Sequence, residues 1–188
     1  MVEIGQIAIV AAFMLAVYVT VVGFAGGVLN GRDLVVSARW GFYSIVPLLL
    51  LATAGLIYAF VNNDFSVAYV AENSNLAMPR IYAWVAFYSG NAGSLLYIAV
   101  AFSIMASICL KVITKKLPYT APYALGVMSM VLLFFLAVIL FLANPLEKLP
   151  VTPADGQGIN PLLIHFGMFI HPPFQMLGLI SCLLYTSD

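Results

Sequence analysis

Four stretches of this chain, at about 4–29, 40–61, 94–113 and 123–143, are each apolar over the roughly 20 residues that an α-helix needs to cross a bilayer core. No other feature constrains the fold as strongly. Inside hydrocarbon there is no water to pair with backbone N–H and C=O groups, so each stretch must satisfy its own backbone as a helix. Composition excludes a soluble domain. Hydrophobic residues make up 64% of the chain and charged residues 7%, against about a quarter charged in soluble domains. A formal net charge of zero leaves no electrostatic footprint for nucleic acid or for an acidic substrate. The expected fold is an all-α integral membrane protein. It has four complete transmembrane helices, a truncated fifth at 174–188, and two long outward-facing loops at 62–93 and 144–173.

The first span has no basic segment before it and is too long for a secretory signal, so a retained helix is expected. Gly26-Gly27 and Asn30-Gly31 end it, and a short loop with Arg32, Asp33 and Arg39 is expected to follow. Pro47 predicts a kink in the second span, and Trp40, Tyr43 and Tyr58 suit its interfacial ends. In the first long connection, Phe65, Val67 and Tyr69 alternate, which predicts an extended piece with one apolar edge, closed by a turn at 72–75. After Pro79, the spacing of Tyr82, Trp84, Phe87 and Tyr88 predicts a short amphipathic helix at the interface. The second connection holds Pro145, Pro150, Pro153 and Pro161, which exclude a long helix and permit a stiff loop. The apolar stretch after Pro173 is too short to span, so the chain is expected to stop within a fifth helix of a longer protein. Cys109 and Cys182 lie apart in apolar surroundings, as small packing residues and not as a redox or zinc pair.

The short connections at 30–39 and 111–122 carry Arg32, Arg39, Lys111, Lys115 and Lys116, whereas the long ones carry only Arg80 and Lys148. The positive-inside rule then places the N-terminus and both long connections outside the cytoplasm, in the periplasm of a bacterium with an inner membrane. A transporter or ion-pump subunit would want an ionisable residue at mid-membrane depth, and none of the four spans has one at its centre.

The only two histidines, His165 and His171, lie in the second long connection, in the run Asn160-Pro161-Leu162-Leu163-Ile164-His165-Phe166-Gly167-Met168-Phe169-Ile170-His171-Pro172-Pro173. Neutral imidazole is a common ligand of metal and haem iron. The two prolines stiffen the backbone after His171 and bias it away from helical angles, which aims it from a rigid turn at the end of a membrane segment. An interfacial histidine hydrogen-bonded to backbone fits these residues equally well.

Three stretches resemble the CcmF-type cytochrome c haem lyase family. The first is Asn63-Asp64-Phe65-Ser66-Val67-Ala68-Tyr69-Val70-Ala71 followed by Asn73-Ser74-Asn75. The second is Gly90-Asn91-Ala92-Gly93-Ser94-Leu95-Leu96, similar to the family's Gly-Ala-His-Glu-Gly-Ser-Leu-Leu. The third is Asn144-Pro145, Asp155-Gly156, Asn160-Pro161-Leu162-Leu163 and Ile170-His171-Pro172-Pro173, an element also similar to haem handlers of the CcsA type. Their order and spacing agree with the family up to about Gly178.

The resemblance implies a bacterial inner-membrane protein that accepts haem b from a periplasmic CcmE-type haem chaperone. It would promote thioether attachment of that haem to apocytochrome c, alongside thiol-handling and recruitment subunits. His171 aligns with a periplasmic histidine of the family that serves as an axial haem ligand. No catalytic residue is implied in this chain, and the second ligand and the family's Trp-rich segment would lie beyond residue 188. Residues 1–188 would be the N-terminal part of a haem-handling membrane domain, inactive alone. His165 has a smaller claim on haem, with a loop-stabilising hydrogen bond the stronger reading, and Met168 reads as packing. Tyr69, Trp84 and Tyr88 read mainly as interface anchors. Arg80 is expected to pair with Glu72, or with a haem propionate. Two departures stand out: Asn91-Ala92 replaces the family's His-Glu, and residues 182–188 do not look like the family and read as a foreign end. A passive scaffold that recruits the chaperone or apocytochrome remains the rival function.

Overall fold

The computed structural model describes residues 1–185. Four helices, α1 (Val2–Val28), α2 (Arg32–Val61), α5 (Asn91–Lys116) and α6 (Ala121–Phe141), are long and apolar enough to cross a membrane. Between α2 and α5 lie two short helices, α3 (Ala68–Asn73) and α4 (Ala83–Ser89), and the chain continues into α7 (His171–Tyr185). No strand occurs among the described residues; Val67 and Lys148 form an isolated antiparallel bridge.

Small residues set how closely the helices approach. In α1, Ala8, Ala12 and Ala16 are buried, and Gly5 packs so near α2 that an added Cβ would lie 3.4 Å from the Ala52 Cα. At the α1–α6 crossing a Cβ on Gly23 would lie 3.3 Å from the Gly126 nitrogen, and the buried Ser129 hydroxyl donates to the Ala16 carbonyl at 3.0 Å. Such close packing with an interhelical hydrogen bond is how helices associate where lipid supplies no hydrophobic drive. Several other hydroxyls bond back to the carbonyl four residues earlier, as Thr20, Thr53, Ser107 and Thr114 do, which removes their polarity from the apolar layer.

Three local expectations are corrected. Arg32, Asp33 and Arg39 are not in a loop: α2 starts at Arg32, because Ala38 and Phe42 bury against the bundle and carry the helix outward to Gly31. The alternating run at 65–69 is not an extended edge. Phe65, Val67 and Tyr69 are all buried, but by a turn that passes directly into α3, and only Val67 keeps a bridge. Arg80 does not pair with Glu72; the ion pair among the described residues joins Lys148 to Glu3 at 2.7 Å. The expected amphipathic helix near 80–88 is present as a 3-10 turn (Arg80–Tyr82) leading into α4, with Phe87 and Tyr88 turned into the protein and Trp84 left 41% exposed. Pro47 sits inside α2 without interrupting it. Of the segment expected at 174–188, α7 is described to Tyr185, starts earlier at His171 and packs on α5; residues 186–188 of the expected foreign end lie outside the described residues.

Candidate functional site

The two long connections fold together into one layer over one end of the bundle. Ala68 donates to the Glu147 carbonyl at 2.9 Å and Leu149 to the Ser66 carbonyl at 2.8 Å, which encloses the Val67–Lys148 bridge. Farther along, Gln157 donates to Ala71 at 2.7 Å and Gly158 to Ser74 at 3.1 Å, while the Asp155 carboxylate accepts the Leu76 N–H at 2.9 Å. Gly156 is required here, since a Cβ would fall 2.0 Å from the Ser74 carbonyl oxygen; Gly158 has φ +85°. Leu146, fully buried, presses against Gly5, and Lys148 pairs with Glu3, so the N-terminal end of α1 belongs to the same layer.

Tyr69 ties this layer to the α4–α5 corner. Its hydroxyl donates to the Phe87 carbonyl at 3.1 Å and accepts the Gly90 N–H at 2.9 Å. Burial raises the Tyr69 pKa, opposed by the hydrogen bonds from Gly90 and Gly93. A Cβ on Gly93 would lie 1.7 Å from the Phe87 carbonyl oxygen and 2.6 Å from the Tyr69 hydroxyl. All three motif stretches thus meet: the first through Tyr69 and Ser74, the second through Gly90 and Gly93, the third through Gly156 and Gly158.

The histidines hang from this layer. His165 precedes a 3-10 turn, Phe166–Phe169, and its Nδ1 accepts the Gly167 N–H at 3.0 Å. A neutral imidazole that accepts at Nδ1 carries its proton on Nε2, so in this geometry His165 offers no second lone pair to a metal. The turn is held from behind by Tyr88, whose hydroxyl donates to the Met168 carbonyl at 2.5 Å. Burial pushes the Tyr88 pKa up to about 12, so this donor keeps its proton well above neutral pH. Phe169 packs on Tyr82 with ring centroids 5.5 Å apart, and Phe166 lies 6.4 Å from Phe169 and is 75% exposed.

His171 is the first residue of α7, followed by Pro172 and Pro173 in the opening turn, where a missing N–H costs nothing. It therefore starts a helix and does not stand in the non-helical turn expected from the prolines. The Pro173 carbonyl accepts from the Tyr97 hydroxyl at 3.4 Å, which links this start to α5. The His171 side chain is exposed and makes no hydrogen bond among the described residues, so both ring nitrogens are uncommitted. An accessible neutral imidazole of this kind can offer a nitrogen to a metal ion. Met168 packs against the core, which leaves its sulfur an unfavourable alternative. Asn91, in place of the family's histidine, begins α5 with its side chain exposed.

The reading of Tyr69 and Tyr88 as interface anchors missed their tethering roles. Tyr69 could have been singled out, because it sits inside the longest motif. Nothing local to Tyr88 reveals a partner 80 residues away.

No family model matches the chain. Among known proteins it is 37% identical over 184 residues to "Cytochrome c-type biogenesis protein CcmF" of Pseudomonas fluorescens, a match covering 95% of this chain and 27% of that protein. It is 36% identical over 140 residues to the protein of the same name from Escherichia coli (strain K12), covering 71% of this chain and 22% of that one. The fold superposes on a solved structure described as "Cytochrome c Heme Lyase CcmF" with a TM-score of 0.81 at 21% identity, covering 96% of this chain and 28% of that chain. The chain therefore spans about 27% of the length of the relative from Pseudomonas fluorescens. Four membrane-length helices together with these relatives describe a multi-pass protein of the bacterial inner membrane. Alike along nearly all of its own length, the chain is homologous to the CcmF cytochrome c-type biogenesis proteins.

Proposed function

We propose that this chain handles haem during cytochrome c maturation, on the periplasmic face of the inner membrane, as the N-terminal part (residues 1–188) of a larger haem-handling membrane domain. The supporting observation is the state of His171: exposed, uncommitted at both nitrogens, and started on a helix that is anchored to α5. Haem b is the cargo in this reading. A CcmE-type periplasmic chaperone supplies it, and apocytochrome c, presented by thiol-handling and recruitment subunits, receives it in thioether linkage. When bound, haem supplies an iron that takes an imidazole nitrogen and vinyl groups that meet the cysteine thiols.

The work of the chain is positioning. Tyr88 and the prolines hold the histidine turn before cargo arrives, so less ordering is lost on binding. Phe166 and Phe169 offer apolar faces for a flat, apolar macrocycle, and His165 stabilises the turn without ligating. A single imidazole fixes neither affinity nor orientation, so residues 1–188 alone are expected not to complete attachment.

The test is made on the full-length protein, purified from membranes supplied with the haem chaperone, by oxidised and reduced absorbance spectra of wild type and His171→Ala. The expected result is loss or spectral shift of the chaperone-delivered haem in the variant. Unchanged loading and spectrum with attachment intact would make His171 an interfacial structural residue and the layer a recruiting scaffold.

A further inference from the structure

The end of the bundle opposite the histidines has a feature that haem handling leaves unused. The α1–α2 link and the α5–α6 link converge there on a cleft of about 560 Å³. Asn30, Arg32 and Arg39 line one side, and Thr114, Tyr119 and Pro122 line the other. Arg32 and Arg39 are about two turns apart on one face of α2, with Val35 and Val36 between them, so the cleft runs along the helix as a stripe with a charge at each end and apolar wall between. Arg32 is exposed at the mouth. Arg39, roughly 10 Å further along the helix, is half-buried.

Neither guanidinium has a carboxylate partner among the described residues. Asp33, in the first turn of α2, is exposed and does not line the cleft. Lys115 and Lys116 stand exposed in the last turn of α5, adding positive charge. A half-buried cation at the level where a membrane helix meets headgroups is costly without an anion. No carboxylate among the described residues provides that anion. The surrounding leaflet does, and a bidentate guanidinium matches a phosphodiester.

We propose that this cleft binds the phosphate headgroup of an anionic phospholipid, Arg39 holding the phosphodiester and Arg32 the outer part of the headgroup, with the acyl chains lying against the apolar exterior of the bundle. The site is independent of the haem reading and stands or falls without it.

The chain in detergent is titrated with phosphatidylglycerol and with phosphatidylcholine of the same acyl composition, and bound lipid is counted by native mass spectrometry. Phosphatidylglycerol is expected to bind in preference. Arg32→Gln and Arg39→Gln should each weaken it roughly fivefold, and the pair by more than tenfold. Lys115→Gln with Lys116→Gln, at the same end but outside the cleft, should cost less than twofold. Equal binding of both lipids, or equal loss in the lysine pair, would overturn the site in favour of diffuse surface charge. Full displacement of the lipid by millimolar inorganic phosphate would overturn the lipid assignment and leave a free-phosphate site. If Arg39→Gln no longer elutes as a monodisperse helical protein, Arg32→Gln at the exposed mouth decides alone.

Discussion

His165 and His171 lie six positions apart and end in opposite chemical states, one committed to a backbone N–H and one open. The hydroxyl that sets the turn between them is that of Tyr88, through the Met168 carbonyl. Tyr88→Phe is expected to cost about 1 kcal/mol in denaturant stability near neutral pH. Its pKa stands above the usual value of 10.0, at about 12, so the folded state holds this proton more tightly than the unfolded state does. The contribution is therefore fully present below pH 10 and is lost as pH rises through 12. The advantage of wild type over Tyr88→Phe should shrink across that window, in unfolding curves recorded at several pH values. Gly93→Ala acts by collision. A methyl group 1.7 Å from the Phe87 carbonyl cannot be absorbed by a side-chain rotation, and a loss of about 3 kcal/mol is expected, read as a lower melting temperature in detergent.

Among the elements, the four long helices were legible because hydrocarbon thickness sets their length and water exclusion sets their type. The short elements were not. The alternation of Phe65, Val67 and Tyr69 reads as an extended edge, yet all three are buried by a turn that passes into α3, and a five-residue pattern is too short to tell the two apart. The start of α2 was misplaced because charged residues read as loop, although Arg and Lys at a helix end can extend towards water. The place of His171 at a helix start was not legible, since prolines fit a first turn as well as a loop. Between elements, the Ser129 hydroxyl joins α6 to α1 across apolar surroundings. Ser129→Ala should cost only about 0.6 kcal/mol, because a serine in an unassembled membrane helix also finds a backbone acceptor. Reversible unfolding in mixed micelles would measure it.

For the whole molecule, the Glu3–Lys148 ion pair and the hydrogen bonds between residues 66–76 and 147–158 place the N-terminal end of α1 and both long connections at one end. The two short links lie at the other. With Cys109 and Cys182 replaced by serine, Thr152→Cys should react with a membrane-impermeant maleimide added outside intact spheroplasts. Lys116→Cys should react only after lysis. The reverse pattern would turn the histidines towards the cytoplasm and remove the periplasmic reading.

The Tyr88–Met168 hydrogen bond also carries a clock. Its two partners are 80 residues apart. At roughly 5–20 residues per second, translation separates them by about 4–16 s. Tyr88 and the α4–α5 corner are thus made while the ribosome is still elongating towards the histidines. The seat exists before its occupant, and the imidazole at 171 emerges only after four spans have been synthesised. A nascent chain of this design can form its bundle during insertion before the His171 imidazole is presented.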